Sequence, residues 1–78
     1  MKNIYKAAQK DGLSIGVSAS NNKIAVWESE ENPHGVNYES SCTFEDWISK
    51  NNAHHTVRNN IVRLFGQELA NEIDNQLK

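Results

Sequence analysis

The chain has 78 residues, a single cysteine, 37% hydrophobic residues and a net charge of −2. That length supports one domain, residues 1–78, which buries only roughly 60–65% of its unfolded surface and has little stability to spare. Low hydrophobicity with so small a net charge excludes an ordinary disordered chain, which combines low hydrophobicity with high charge.

Cys42 has no second cysteine to pair with, so an intramolecular disulfide is excluded and a reducing, cytoplasmic compartment is expected. No apolar run is long enough for a signal peptide or a membrane span. Eleven asparagines beside the lysines suggest an A/T-rich coding sequence, as in a mobile element or a low-GC host.

In chain order, Asn3 can cap a short helix, IYKAAQKD, that Gly12 would end. The competing reading is an N-terminal strand running into an Asp11-Gly12 turn. In LSIGVSAS, residues 13–20, apolar Leu13, Ile15, Val17 and Ala19 alternate with Ser14, Gly16, Ser18 and Ser20, the period-two pattern of a strand buried on one face. Asn21-Asn22 tolerates the positive φ of a tight hairpin, and KIAVWESE follows as the second strand. A two-residue loop pairs Ala19 with Ile24, Val17 with Val26 and Gly16 with Trp27, where an aromatic covers a bare strand glycine.

Asn32-Pro33-His34-Gly35 has type I turn chemistry, and VNYESS follows as a third strand. A four-residue loop would put Val36 and Tyr38 on the Trp27 face, whereas a five-residue loop with a bulge at Gly35 would put them on the Val17/Val26 face. Thr43-Phe44-Glu45-Asp46 matches a capping box, opening a short helix that buries Phe44, Trp47 and Ile48. After NNAHH, Thr56 is expected to cap a longer segment. There Val57, Ile61, Phe65, Leu69, Ile73 and Leu77 recur every four residues, with Gly66 placed to break or bend it. The expected fold is α+β, a three-stranded antiparallel sheet in the order α-β-β-β-α-α, with helices packed on one face.

Little in the chain carries reaction chemistry. His34, His54, His55 and Cys42 lack the paired spacing of a structural zinc site, and no nucleophile signature surrounds Cys42. The four glycines, at 12, 16, 35 and 66, assemble no phosphate loop. No catalytic residue, metal or cofactor is therefore expected. His54-His55 reads as a polar lead-in to a helix.

The informative feature is charge segregation. Between Lys23 and Lys50 there are six acids, Glu28, Glu30, Glu31, Glu39, Glu45 and Asp46, and no Lys or Arg. Such a field attracts a basic partner and speeds its association, or else deters edge-to-edge aggregation. With Trp27 and Tyr38 as candidate aromatic contacts, these residues form the expected partner-binding set.

The α-β-β-β-α order resembles double-stranded-RNA-binding domains in topology alone. Where those domains carry basic residues on their last helix, TFEDWISK carries Glu45 and Asp46. The succession of SNNKIAVWES, TFEDWISK and VRNNIVRLF resembles the plan of some small phage anti-CRISPR proteins. That resemblance implies an inhibitor that occupies the basic channel of a nucleic-acid-binding protein. The expected function is a small non-enzymatic protein-binding module. The alternatives are a nucleic-acid-associated regulator using Lys2, Lys6, Lys10 and Lys23, or a homodimeric structural protein.

Overall fold

The central hairpin forms in the expected register. In the computed structural model, which describes residues 2–30 and 37–78, β2 (Leu13–Ser20) pairs antiparallel with β3 (Lys23–Glu30), and Ala19 faces Ile24, Val17 faces Val26 and Gly16 faces Trp27. Asn21 and Asn22 take φ of 48° and 66°, the left-handed values a two-residue hairpin loop requires.

The N-terminal segment is a strand and not a helix. β1 (Ile4–Lys10) pairs antiparallel with β2 through a second two-residue loop, Asp11-Gly12, with φ of 51° and 80°. Only Ile4 of its seven residues is buried, so no apolar alternation marks it. The Asp-Gly turn outweighed the helical propensity of IYKAAQK because β1 adds a full ladder of backbone hydrogen bonds to the β2 edge.

β4 (Asn37–Thr43) completes a four-stranded sheet, one strand more than expected, in the order β1-β2-β3-β4. Trp27 faces Glu39 and Glu28 faces Tyr38. This is the register of the five-residue connection, and it places Tyr38 on the Val17/Val26 face. Val36 and the Asn32-Pro33-His34-Gly35 turn lie outside the described residues.

Three helices follow: α1 (Phe44–Ser49), α2 (Asn52–Phe65) and α3 (Gln67–Gln76). The element order is thus β-β-β-β-α-α-α. The α1 capping box is formed: Thr43 Oγ1 accepts from Asp46 N, and Asp46 Oδ2 accepts from Thr43 N, both at 3.0 Å. Trp47 is buried, but Ile48 stays 59% exposed and Phe44 half-buried, so the short helix buries a narrower face than its spacing suggested. α2 starts earlier than expected. Asn51, not Thr56, is its N-cap, accepting from His54 N at 3.1 Å. Thr56 lies within the helix and donates its hydroxyl to Asn52 O.

Gly66 breaks the apolar stripe as expected, with φ 99° and ψ 165°, a conformation confined essentially to glycine. The break absorbs the drift of the four-residue spacing. Val57, Ile61, Leu64, Leu69 and Ile73 are all buried, and Phe65 and Leu77 pack at the margin. They close over one face of the sheet, against Ile15, Val17, Ala19, Ile24, Val26 and Cys42. Each fully buried aliphatic side chain there is worth about 1.5–3 kcal/mol. No helix among the described residues is long and apolar enough to cross a membrane.

Candidate partner-binding surface

Because alternate strand residues point to opposite faces, the registers sort the sheet into two sides. The core side carries Val17, Val26 and their neighbours. The other side carries Tyr5 and Ala7 on β1, Ser14, Gly16 and Ser18 on β2, Lys23, Ala25, Trp27 and Ser29 on β3, and Asn37, Glu39, Ser41 and Thr43 on β4. These side chains are mostly small, so the face is low and smooth except at its aromatic pair. Trp27 lies over Gly16, so closely that a β-carbon on Gly16 would overlap the indole's Cζ2 and Cε2. Tyr5, 71% exposed, flanks it with ring centroids 6.0 Å apart and planes tilted by 43°. Glu39 sits opposite Trp27 in the β3–β4 ladder, and the Nζ of Lys23 comes within 3.9 Å of its carboxylate with both side chains largely exposed. An ion pair in that setting is worth little and leaves both charges open to a partner.

The remaining sequence-derived acids are dispersed. Glu28 points to the helix side, where its Oε1 lies 2.7 Å from Nη2 of Arg63 on α2. The Arg63 hydrogen bond, opposed by partial burial, holds the Glu28 carboxyl below its usual value. Glu30 ends β3 on the same side, opposite Leu13, and Tyr38 lies there too, 45% exposed. Asp46 closes the capping box and accepts from Asn51 Nδ2 at 2.7 Å; the Thr43 amide and then Asn51 keep its carboxyl low. Glu45 is exposed in the first turn of α1. Glu31 lies outside the described residues. Of the eight candidates, Trp27 and Glu39 share the open face, while Glu28 and Asp46 are engaged in holding the fold.

The lysines do not converge on one face either. Lys6 and Lys10 alternate to the helix side of β1, where Lys10 Nζ reaches Arg63 O at 3.5 Å, whereas Lys23 lies on the Trp27 face.

A second cluster has no counterpart in the sequence-based set. Asp74 on α3 accepts from Trp47 Nε1 at 2.9 Å and from Arg58 Nη1 at 2.9 and 3.0 Å, tying the three helices together. The Arg58 guanidinium stands 5.5 Å from the Trp47 ring centroid. His54 meets Trp47 edge-on at 4.6 Å, is 4% exposed, and its buried Nδ1 finds no hydrogen-bond partner among the described residues. Burial, and then the nearby charges of His55 and Arg58, depress its pKa below 6.5. The one available signal was the i, i+4 spacing of His54 and Arg58; nothing local links them to Asp74. Cys42 is buried beneath the helices, and burial with the Asp46 charge pushes its thiol up to about 11. Among the described residues no group of three or more His, Cys, Asp or Glu could hold a metal ion.

Comparison with protein families, with curated proteins and with solved structures finds no match for this chain.

Proposed function

We propose that this chain is a small non-enzymatic protein-binding module whose open sheet face docks on a basic protein surface. The observation that supports it is the Trp27–Tyr5 aromatic pair beside Glu39, standing on the sheet face opposite the helix-covered core. Aromatic anchors of this kind concentrate binding energy, and a neighbouring carboxylate selects for Lys or Arg and accelerates encounter. Among the described acids of β3 and β4, Glu39 is the one on this face, and Glu45 is exposed in the first turn of α1. In its most specific form, the module is an inhibitor of phage or mobile-element origin that occupies the basic channel of a nucleic-acid-binding protein.

The test is capture from a host lysate, followed by reconstitution with the purified partner. Binding is expected to be lost at roughly 0.5 M salt, where the Debye length falls to about 4 Å. Trp27→Ser and Glu39→Lys should each abolish it, and Glu72→Gln on α3 should leave it intact. Retained binding in both sheet-face variants would remove the open face as the contact. A mobility shift of mixed DNA and RNA at micromolar protein would favour a nucleic-acid regulator instead.

A further inference from the structure

The junction of the three helices holds an open depression of about 710 Å³. That is within the roughly 300–1,000 Å³ of small-molecule sites. Its charge is opposite to that of the chain as a whole. Lys50, Arg58 and Lys78 line it against the single acid Asp74. Asp74 is bound to Arg58 by two hydrogen bonds, so the side-chain positive charge left over is that of Lys50 and Lys78, whose ammonium groups have no ion-pair partner among the described residues. The walls are apolar: half-buried Leu77 and Ile48, whose 59% exposure is the highest of the large aliphatic side chains described, together with the buried Trp47 indole. A polar atom is stranded beside them, the buried Nδ1 of His54.

We propose that this depression binds a small organic anion with a flat apolar body, an aryl phosphate or aryl carboxylate. The body lies against Trp47, Ile48 and Leu77, and the anionic head lies between Lys50 and Lys78. Each element of the site has a separate structural origin. Lys50 is turned outward by its left-handed φ of 58° at the end of α1. Trp47 and Arg58 are fixed by Asp74. Lys78 follows the end of α3. The arrangement is preorganised on one side and mobile-headed on the other, because the two lysines keep their rotamer freedom until an anion orders them. An anion at that position adds a negative charge facing His54, alongside Asp74 and against His55, Lys50, Arg58 and Lys78, so it favours the protonated His54 imidazole. Nothing here depends on the open sheet face.

The experiment is an NMR titration of the whole chain with phenyl phosphate, benzoate, inorganic phosphate and benzyl alcohol. Phenyl phosphate and benzoate are expected to move the Trp47 indole N–H and the ring signals of His54 and His55, and to raise the pH midpoint of His54. Inorganic phosphate, lacking the apolar body, should bind roughly tenfold more weakly, and benzyl alcohol should leave the His54 midpoint unmoved. The paired change Lys50→Gln/Lys78→Gln should weaken phenyl phosphate roughly tenfold. Lys78→Gln alone, beyond the last helix, serves should the pair disturb the fold. Unmoved Trp47 and His54 signals at about 10 mM phenyl phosphate would overturn the proposal, as would equal affinity for inorganic phosphate or undiminished affinity in the lysine variants.

Discussion

Gly16 and Trp27 occupy one cross-strand position as a unit: the indole fills the space where a Gly16 side chain would stand. An alanine in a strand is ordinarily more stable than a glycine by about 0.5–1 kcal/mol. Here the sign should reverse. Gly16→Ala must push the indole off the sheet, and the expected cost is about 1–3 kcal/mol. Urea denaturation measures it. In a double-mutant cycle with Trp27→Ala most of that cost should vanish, since the clash needs both partners. Additive losses would show that Trp27 does not depend on Gly16.

Asp74 is the one acceptor shared by a buried indole N–H and a guanidinium. Asp74→Ala orphans the Trp47 N–H and leaves Arg58 unpaired, and should cost about 2–3 kcal/mol in chemical denaturation. Asp74→Asn keeps an oxygen for the indole and loses only the charge, so about 1 kcal/mol is expected. Equal losses in the two variants would mean that the charge, not the hydrogen bond, holds the helices.

His54 should make stability depend on pH near neutrality. Its folded pKa lies below the 6.5 of the unfolded side chain, chiefly through burial. Between those two values the unfolded chain holds more proton than the folded one, so stability rises with pH across that window. The contribution is complete above pH 6.5 and is lost as pH falls from there through the folded value. His54→Phe retains the edge-on contact with Trp47 and removes the stranded Nδ1. It should flatten the slope and leave stability at neutral pH equal or higher. Urea midpoints between about pH 5 and pH 7.5 test both statements.

The start of α2 sets the observed cap, Asn51, against the expected one, Thr56. Asn51→Ala removes the acceptor of the His54 amide and also frees Asp46 of a side-chain donor, and should cost about 1 kcal/mol. Thr56→Ala removes only a hydroxyl bonded back to Asn52 O, and should be neutral or slightly stabilising. Thermal melts of the two variants decide between them.

The parts of this fold legible in the sequence are those where pattern and turn chemistry agree. LSIGVSAS and KIAVWESE alternate cleanly around Asn21-Asn22, so their register follows from the need to bury Val17 and Val26 together. The Thr43–Asp46 capping box and the break at Gly66 are likewise local. β1 is legible only as the competing reading, through its Asp11-Gly12 turn, because an edge strand with one buried residue has no face to signal. α2 was misplaced by its buried histidine: a polar letter at position 54 occupies a core position against Trp47, so the helix begins a full turn before its apolar stripe. The acidic run was fully visible as charge. Its division among the Arg63 pair, the capping box and the open face depends on which side each strand residue takes. The Trp47–Arg58–Asp74 cluster depends on contacts across as many as 27 positions, which no window of sequence contains.

A straight helix from residue 52 to 76 would run about 37 Å, close to the 39 Å long dimension of the whole molecule. An eight-residue strand spans only about 27 Å. By folding that length back on itself, Gly66 matches helix to sheet and returns Asp74 to the start of α2. Any residue that resisted its φ of 99° would favour the straight rod, carrying Leu69 and Ile73 out of their own core with nowhere to bury them except another molecule's. The same glycine that completes the monomer's core is therefore its safeguard against domain swapping.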